Sequence, residues 1–216
     1  MRDSIQTVFI VDDDASFLAT MSRWLRAFGY PVESFTSAAD LLAQRTTQAG
    51  GCVVADLQMP GIDGMALQAA LAQSDNPIPV VFLTGQGDIS TSVHAMRSGA
   101  EDFLQKTASK EKLLAAIECA LKRDLRERET RRRRYFLAQR FAKLTPRENE
   151  VLSHVLRGQL NKQIAADLGV DERTVKRHRS SVMAKLDVKS MVELTRLSDE
   201  ARNHNIMPIQ GNAVTP

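Results

Sequence analysis

Short apolar runs alternate with helix-period segments through the first half of the chain. Residues 8–11, 52–55 and 80–83 are continuous apolar runs, read as strands buried on both faces of a parallel sheet. Shorter segments, residues 32–35 and 102–104, complete the set of strands. Between them Phe17, Leu18, Met21, Leu25 and Phe28 recur at helical spacing, as do Met65, Leu67 and Leu71. Leu41 with Leu42, residues 89–97, and Leu113, Leu114, Ile117 and Leu121 mark three further helices. Gly29, Gly50-Gly51 and Gly99 fall between elements as breakers. Strand–helix alternation of this kind predicts an α/β doubly wound (βα)5 parallel sheet with helices on both faces.

The pattern changes after residue 121. Residues 122–141 are charged, contain neither Gly nor Pro, and include the run Arg131-Arg132-Arg133-Arg134 before Tyr135-Phe136. They are expected to form a solvated linker helix, since the heptad begun by Leu114, Ile117 and Leu121 meets Asp124 and Arg128. Residues 142–203 then show short, punctuated helices. Thr145-Pro146-Arg147-Glu148 is a capping box with Pro at the first helical position, and Gly158 ends that helix. A helix over 162–168 stops at Gly169. Asp171 caps the next, over 172–186, and Ser190 with Glu193 opens the last. Residues 204–216 are expected to be a loose tail.

Polar residues end the apolar runs at telling places. Asp12-Asp13-Asp14 follows the first predicted strand, Asp56 the third and Thr84 the fourth, and Lys106 lies just past Phe103-Leu104. Ligands of open α/β sheets bind beyond the carboxyl ends of the strands. Carboxylates crowding Asp56 would repel it, and a hard cation such as Mg2+, bound by one or two carboxylates, relieves that repulsion. Asp13 and Asp56 suit such an ion, with Asp12 acting directly or through water. Asp56 is a candidate nucleophile toward a phosphoryl group, giving an acyl phosphate. Lys106 and the Thr84 hydroxyl would face its equatorial oxygens. Asp14 is better placed as a helix N-cap.

Composition sharpens this picture only once it is divided. The 43% apolar and 25% charged fractions are those of an ordinary globular protein. Residues 1–121 carry 8 Lys+Arg against 14 Asp+Glu, whereas residues 122–216 carry 21 against 12. An acidic half followed by a basic half implies two domains with different partners, the second suited to nucleic acid. Cys52 and Cys119 sit in apolar settings and are expected to be reduced thiols. Without a signal-like N-terminus or a spanning run, the expectation is a soluble cytoplasmic protein with no membrane partner.

The residues ending the strands, with Ala55-Asp56-Leu57-Gln58-Met59-Pro60-Gly61-Ile62-Asp63-Gly64, Thr84-Gly85 and Phe103 before Lys106, resemble the receiver domain of bacterial two-component response regulators over residues 5–121. The resemblance implies that Asp56 accepts phosphoryl from a sensor histidine kinase. It implies Mg2+ held by Asp12, Asp13, Asp56 and the Gln58 carbonyl, and a switch in which Thr84 and Phe103 rearrange. The family usually has Pro after the lysine, often in a cis bond, but Thr107 stands here. A cis bond costs about 2.5–4 kcal/mol before Thr, against about 0.5–1 before Pro. Either Lys106-Thr107 is trans in a rearranged loop, or it is a strained cis bond.

Farther on, Ile164, Leu168, Val170 and Val175 supply the buried contact of a helix-turn-helix, with Gly169 at the turn. Lys176, Arg177, Arg179 and Lys185 fall on the other faces of its second helix. With Leu144-Thr145-Pro146-Arg147-Glu148 and Asn161-Lys162-Gln163-Ile164-Ala165, this stretch resembles the LuxR-type DNA-binding domain of NarL/FixJ-class regulators, an all-α four-helix fold. That resemblance implies base contacts from Lys176, Arg177 and Ser180, and phosphate contacts from Lys162, Thr174 and Arg179. The expected function is a phosphorylation-controlled transcriptional regulator, not an enzyme. It would bind double-stranded promoter DNA, work with RNA polymerase, and form a homodimer on phosphorylation or on DNA. Two alternatives stand beside it: a phosphate-independent regulator whose receiver only dimerises, and an Asp-nucleophile phosphatase, suggested by Asp12-x-Asp14-x-Ser16 but lacking a further acid pair after Lys106.

Overall fold

In a computed structural model, which describes residues 6–45, 50–85 and 89–207, the chain forms two compact units that divide at Arg128/Glu129. The first holds a five-stranded, all-parallel sheet, and the second is helical. The expected doubly wound α/β architecture followed by a helical domain is present. Residue 5 and the end of the tail from 208 lie outside the described residues.

The strands are β1 (Gln6–Val11), β2 (Val32–Phe35), β3 (Gly50–Asp56), β4 (Val80–Thr84) and β5 (Asp102–Gln105), in the order β2-β1-β3-β4-β5. Because β1 pairs with both β2 and β3, the winding direction reverses between β1 and β3. A crevice is created there at the carboxyl ends of those two strands. Successive side chains leave a strand on opposite faces. Phe9, Val11, Val53, Ala55, Val80 and Phe82 enter one core, with α2 (Ala38–Gln44), α3 (Gly64–Ala72) and α4 (Ile89–Arg97) supplying its other wall. Val8, Ile10, Cys52, Val54, Val81 and Leu83 enter the other. There α1 (Ala15–Ala27) and the start of α5 (Lys110–Phe141) cover them.

Helix α5 is continuous for 32 residues. Its apolar spacing lapses at Asp124 because that position meets the amino-terminal edge of the sheet. The Asp124 carboxylate, 0% exposed, accepts the Gly51 N–H at 2.9 Å and the Gln6 side-chain amide at 3.3 Å. Gly51 has φ +147°, and a Cβ there would stand 1.8 Å from the Thr7 carbonyl oxygen. Only glycine allows that approach.

In the second unit, Leu137 and Phe141 of α5 are buried with residues of α6 (Pro146–Leu156), α7 (Asn161–Leu168), α8 (Glu172–Lys185) and α9 (Met191–Asn203). Of the four consecutive arginines, Arg133 forms a two-pronged pair with Glu200 at 2.5 and 2.7 Å, and Arg132 lies over the Phe136 ring. The Thr145–Glu148 capping box is formed as expected, and Asp171 caps α8 through the Thr174 N–H. Gly169 ends α7 at φ +64°, the left-handed conformation that the turn requires.

Candidate functional site

The crevice between β1 and β3 collects the acids. Asp12 and Asp13 follow β1 and Asp56 ends β3, and carboxylate oxygens of all three lie within 4.8 Å of one another. Among the described residues this is the one group of three or more potential metal ligands. Asp12 and Asp56 are 1% and 8% exposed, while Asp13 is open to solvent. Asp14 caps α1, accepting the N–H groups of Ser16 and Phe17 at 2.8 and 3.1 Å. Its carboxylate is thus engaged at the helix end.

Lys106 reaches into the cluster from beyond β5. Its Nζ stands 2.7 Å from Asp12 Oδ2 and 2.8 Å from Asp56 Oδ2, and 4.7 Å above the Phe17 ring centroid. Burial disfavours the ammonium, but bonds to the two carboxylates outweigh it and raise the Lys106 pKa. Burial moves Asp12 the other way from a usual ion-paired acid. It pushes the carboxyl above the ordinary range, although Lys106 and the Asp14 N–H pull it down.

The Lys106–Thr107 bond is trans, as is every described peptide bond. A tight turn closed by Ala108 N–H to the Gln105 carbonyl at 2.8 Å carries the loop, and the Lys106 N–H bonds the Thr84 carbonyl at 2.8 Å. Of the two alternatives for Thr107, the trans loop is the one formed, and it still delivers the ammonium to Asp56.

Two features fix the Asp56 strand end. The Gln58 N–H donates to Asp56 Oδ1 at 3.3 Å, and the Gly64 N–H donates to the Leu57 carbonyl at 3.0 Å. A Cβ on Gly64 would stand 2.6 Å from the Asp56 carbonyl oxygen and 3.0 Å from Leu57 Cα. The glycine closing the Asp63-Gly64 pair therefore lets α3 start directly against the strand end. Thr84, 1% exposed, lies one residue beyond Leu83, the register partner of Asp56. Phe103 is half-buried opposite Phe82, with ring centroids 6.3 Å apart.

The donor set suits Mg2+: three clustered carboxylates are hard oxygen ligands of the kind that ion takes, alongside waters and phosphate oxygens. A lysine ammonium already spans two of these carboxylates, so the crevice is built around positive charge.

In the helical unit, α7 and α8 carry the second candidate surface. Lys162, Lys176, Arg177 and Ser180 are exposed. The Thr174 hydroxyl donates to the Asp171 carboxylate at 2.8 Å, and Arg179 donates to Asn161 Oδ1 at 2.9 Å. Lys185, the last residue of α8, is held within the helical unit. Its Nζ pairs with Glu148 at 2.7 Å, because the helix turns this residue toward the start of α6.

The residue that sequence reasoning underused is Glu148. It is 4% exposed, completes the capping box through the Thr145 N–H, and also accepts from Ser181 at 2.6 Å. Burial opposes its ionised form, but Lys185, Ser181 and Thr145 together hold its pKa down to about 2. The capping box was visible; the partners from α8 are separated from it by more than thirty positions of chain and had no local signal.

Comparison with known proteins covers both units. The family described as "Response regulator receiver domain" matches residues 8–118, and "Bacterial regulatory proteins, luxR family" matches residues 142–198. The response regulator protein TodT of Pseudomonas putida is 38% identical over 203 residues, spanning 94% of this chain and 89% of that protein. The solved structure of the response regulator StyR is 43% identical with a TM-score of 0.84, covering 90% of this chain and 98% of that one. Full-length FixJ from B. japonicum is 33% identical with a TM-score of 0.54, covering 92% and 98%.

Proposed function

Because the chain belongs to the NarL/FixJ class of response regulators, transcriptional regulators in which a receiver precedes a LuxR-type DNA-binding domain, we propose that a phosphoryl group on Asp56 controls its occupancy of promoter DNA. The observation that carries this reading is the crevice itself. Asp56 lies at the carboxyl end of β3 beside Asp12 and Asp13, with Lys106 in contact with its outer oxygen.

A receiver implies a sensor histidine kinase as donor. An oxygen of Asp56 attacks phosphorus in line, the new O–P bond forms, and the bond to the donor nitrogen breaks. Receiver domains bind Mg2+, here through Asp12, Asp13, Asp56 and the Gln58 carbonyl, and when bound it supplies countercharge to the phosphoryl oxygens. Lys106, already between Asp12 and Asp56, moves its ammonium onto a phosphoryl oxygen. The Thr84 hydroxyl donates to another, and Phe103, packed against Phe82, follows the vacated space. The phosphoryl group adds about −1.5 to −2 charge to the crevice, and the β4–β5 surface responds.

The altered surface promotes a homodimer, which brings two DNA-binding units to one site and raises their effective concentration. On DNA, α8 enters the major groove with Lys176, Arg177 and Ser180 toward base edges. Lys162, Thr174 and Arg179 face phosphates. RNA polymerase is the downstream partner, and the cytoplasm is the compartment that this chemistry requires.

The test is to incubate the protein with Mg2+ and a small phosphodonor, then measure intact mass and promoter affinity. One phosphoryl mass increment with tighter DNA binding is expected for wild type, and neither for Asp56→Asn. If the two proteins bind DNA alike after treatment, the receiver acts without phosphorylation and the proposal is wrong.

A further inference from the structure

A cleft of about 270 Å³ opens in the helical unit between α6, α8 and the start of α9. Its floor is Val151, Leu152, Val155, Val182, Met183 and Leu194, mostly buried core residues that here border open space. Two cationic residues, Arg179 and Lys189, line it together with Ser190 and Met191. These are its more exposed walls, and so form its mouth.

The mouth is electrostatically incomplete. Arg179 donates to a neutral amide, Asn161 Oδ1, and to the Met191 sulfur at 3.5 Å. A thioether is a weak acceptor for a guanidinium, which prefers the two oxygens of a carboxylate. The acids nearby are engaged elsewhere: Glu193 accepts the Lys189 backbone N–H, Glu172 pairs with Lys176, and Glu148 pairs with Lys185. Among the described residues neither Arg179 nor Lys189 forms an ion pair with a carboxylate. An apolar floor under two cationic heads selects an apolar anion. Volume is sufficient, since apolar cavities of about 150 Å³ already admit a benzene-sized molecule.

We propose that this cleft binds a small apolar monocarboxylate of the medium-chain fatty-acid type. Its alkyl chain lies on the valine and leucine floor, and its carboxylate replaces Met191 as the partner of Arg179. The regulatory consequence rests on the DNA-binding reading above, in which Arg179 faces a phosphate. Carboxylate and DNA then compete for one guanidinium, so each weakens the other by the same factor.

The probe is octanoate added to the full-length protein, followed through the methyl resonances of Met, Leu and Val, with octanol as its neutral counterpart. Saturable binding of octanoate is expected, with shifts at Met183, Met191 and Leu194. Arg179→Gln should weaken octanoate about tenfold and leave octanol unchanged, the loss of one charge-assisted interaction. Met183→Phe, which fills the cleft and leaves the DNA-facing residues themselves unsubstituted, should abolish binding of both while promoter affinity persists. Promoter DNA should weaken octanoate binding to wild type. The proposal is overturned by absent or non-saturable binding, by octanol matching octanoate, or by binding indifferent to both substitutions. If octanoate binds as described but the protein shows no promoter affinity, it is the DNA-binding reading that fails; if both bind without competition, Arg179 does not link them.

Discussion

At the scale of single residues, Lys106 and Glu148 are mirror cases. Lys106 is a cation held between two acids, and Glu148 is an acid held by donors from several directions. Replacing Lys106 leaves Asp12 and Asp56 facing each other without countercharge. Lys106→Ala should therefore destabilise the receiver by about 1–3 kcal/mol without divalent cation. Added Mg2+ should recover more stability in the variant than in wild type, which thermal melts with and without the ion would show. For Glu148 the folded pKa is depressed from 4.5 to about 2. Its contribution is thus present above the unfolded value and is lost as pH falls from 4.5 toward about 2. Glu148→Gln should cost about 1–3 kcal/mol at neutral pH. The gap from wild type, read by denaturant unfolding, should narrow as pH falls through that window. Asp14 and Thr145 were legible as caps because capping is local: each partner lies within three residues. The Lys185–Glu148 pair had no such local signal, because its members lie 37 positions apart.

Among the elements, α5 and α8 repay comparison. The start of α5 carries a clear apolar stripe, and the stripe stops where Asp124 turns to the sheet edge. A heptad count registers that as an interruption. In the structure it is a satisfied contact: a fully buried carboxylate accepting from Gly51 and Gln6, with Gly51 required by the approach of Thr7. Gly51→Ala combines a disfavoured φ with a backbone clash, and should destabilise the receiver by about 3 kcal/mol or more. Equilibrium unfolding followed by the fluorescence of Trp24, which packs in this unit, would report it. In α8, Val175 and Val182 stand seven residues apart and are both buried, so the helix turns one face to the core. On the reading proposed for its exposed face, Arg177→Ala should cost about 1–3 kcal/mol in promoter binding and relax specificity at one base position. Lys162→Ala should instead weaken binding to all sequences alike and lower the salt slope by about one. Competition binding at several salt concentrations separates the two.

For the whole molecule, the division at Arg128/Glu129 falls inside one helix. Leu137 and Phe141 belong to the core of the helical unit. A C-terminal fragment starting at residue 129 should fold, and one starting at residue 143 should be less stable by about 3–6 kcal/mol, from two lost buried side chains. Denaturant midpoints of the two fragments check this. The sequence by itself determined the order of strands and helices, the doubly wound class, and the acids, hydroxyl and lysine that end the strands. These follow from periodicity, capping and the rule that an open parallel sheet presents its strand ends to ligands, all of which act over a few residues. Only the tertiary structure decided that Lys106 reaches Asp12 and Asp56 through a trans loop despite Thr107, that Asp124 locks α5 to the sheet edge, and that Lys185 serves Glu148. Each of those depends on groups brought together from distant positions, whose contacts set the burial and charge partners of a side chain and leave no trace in the spacing of its neighbours.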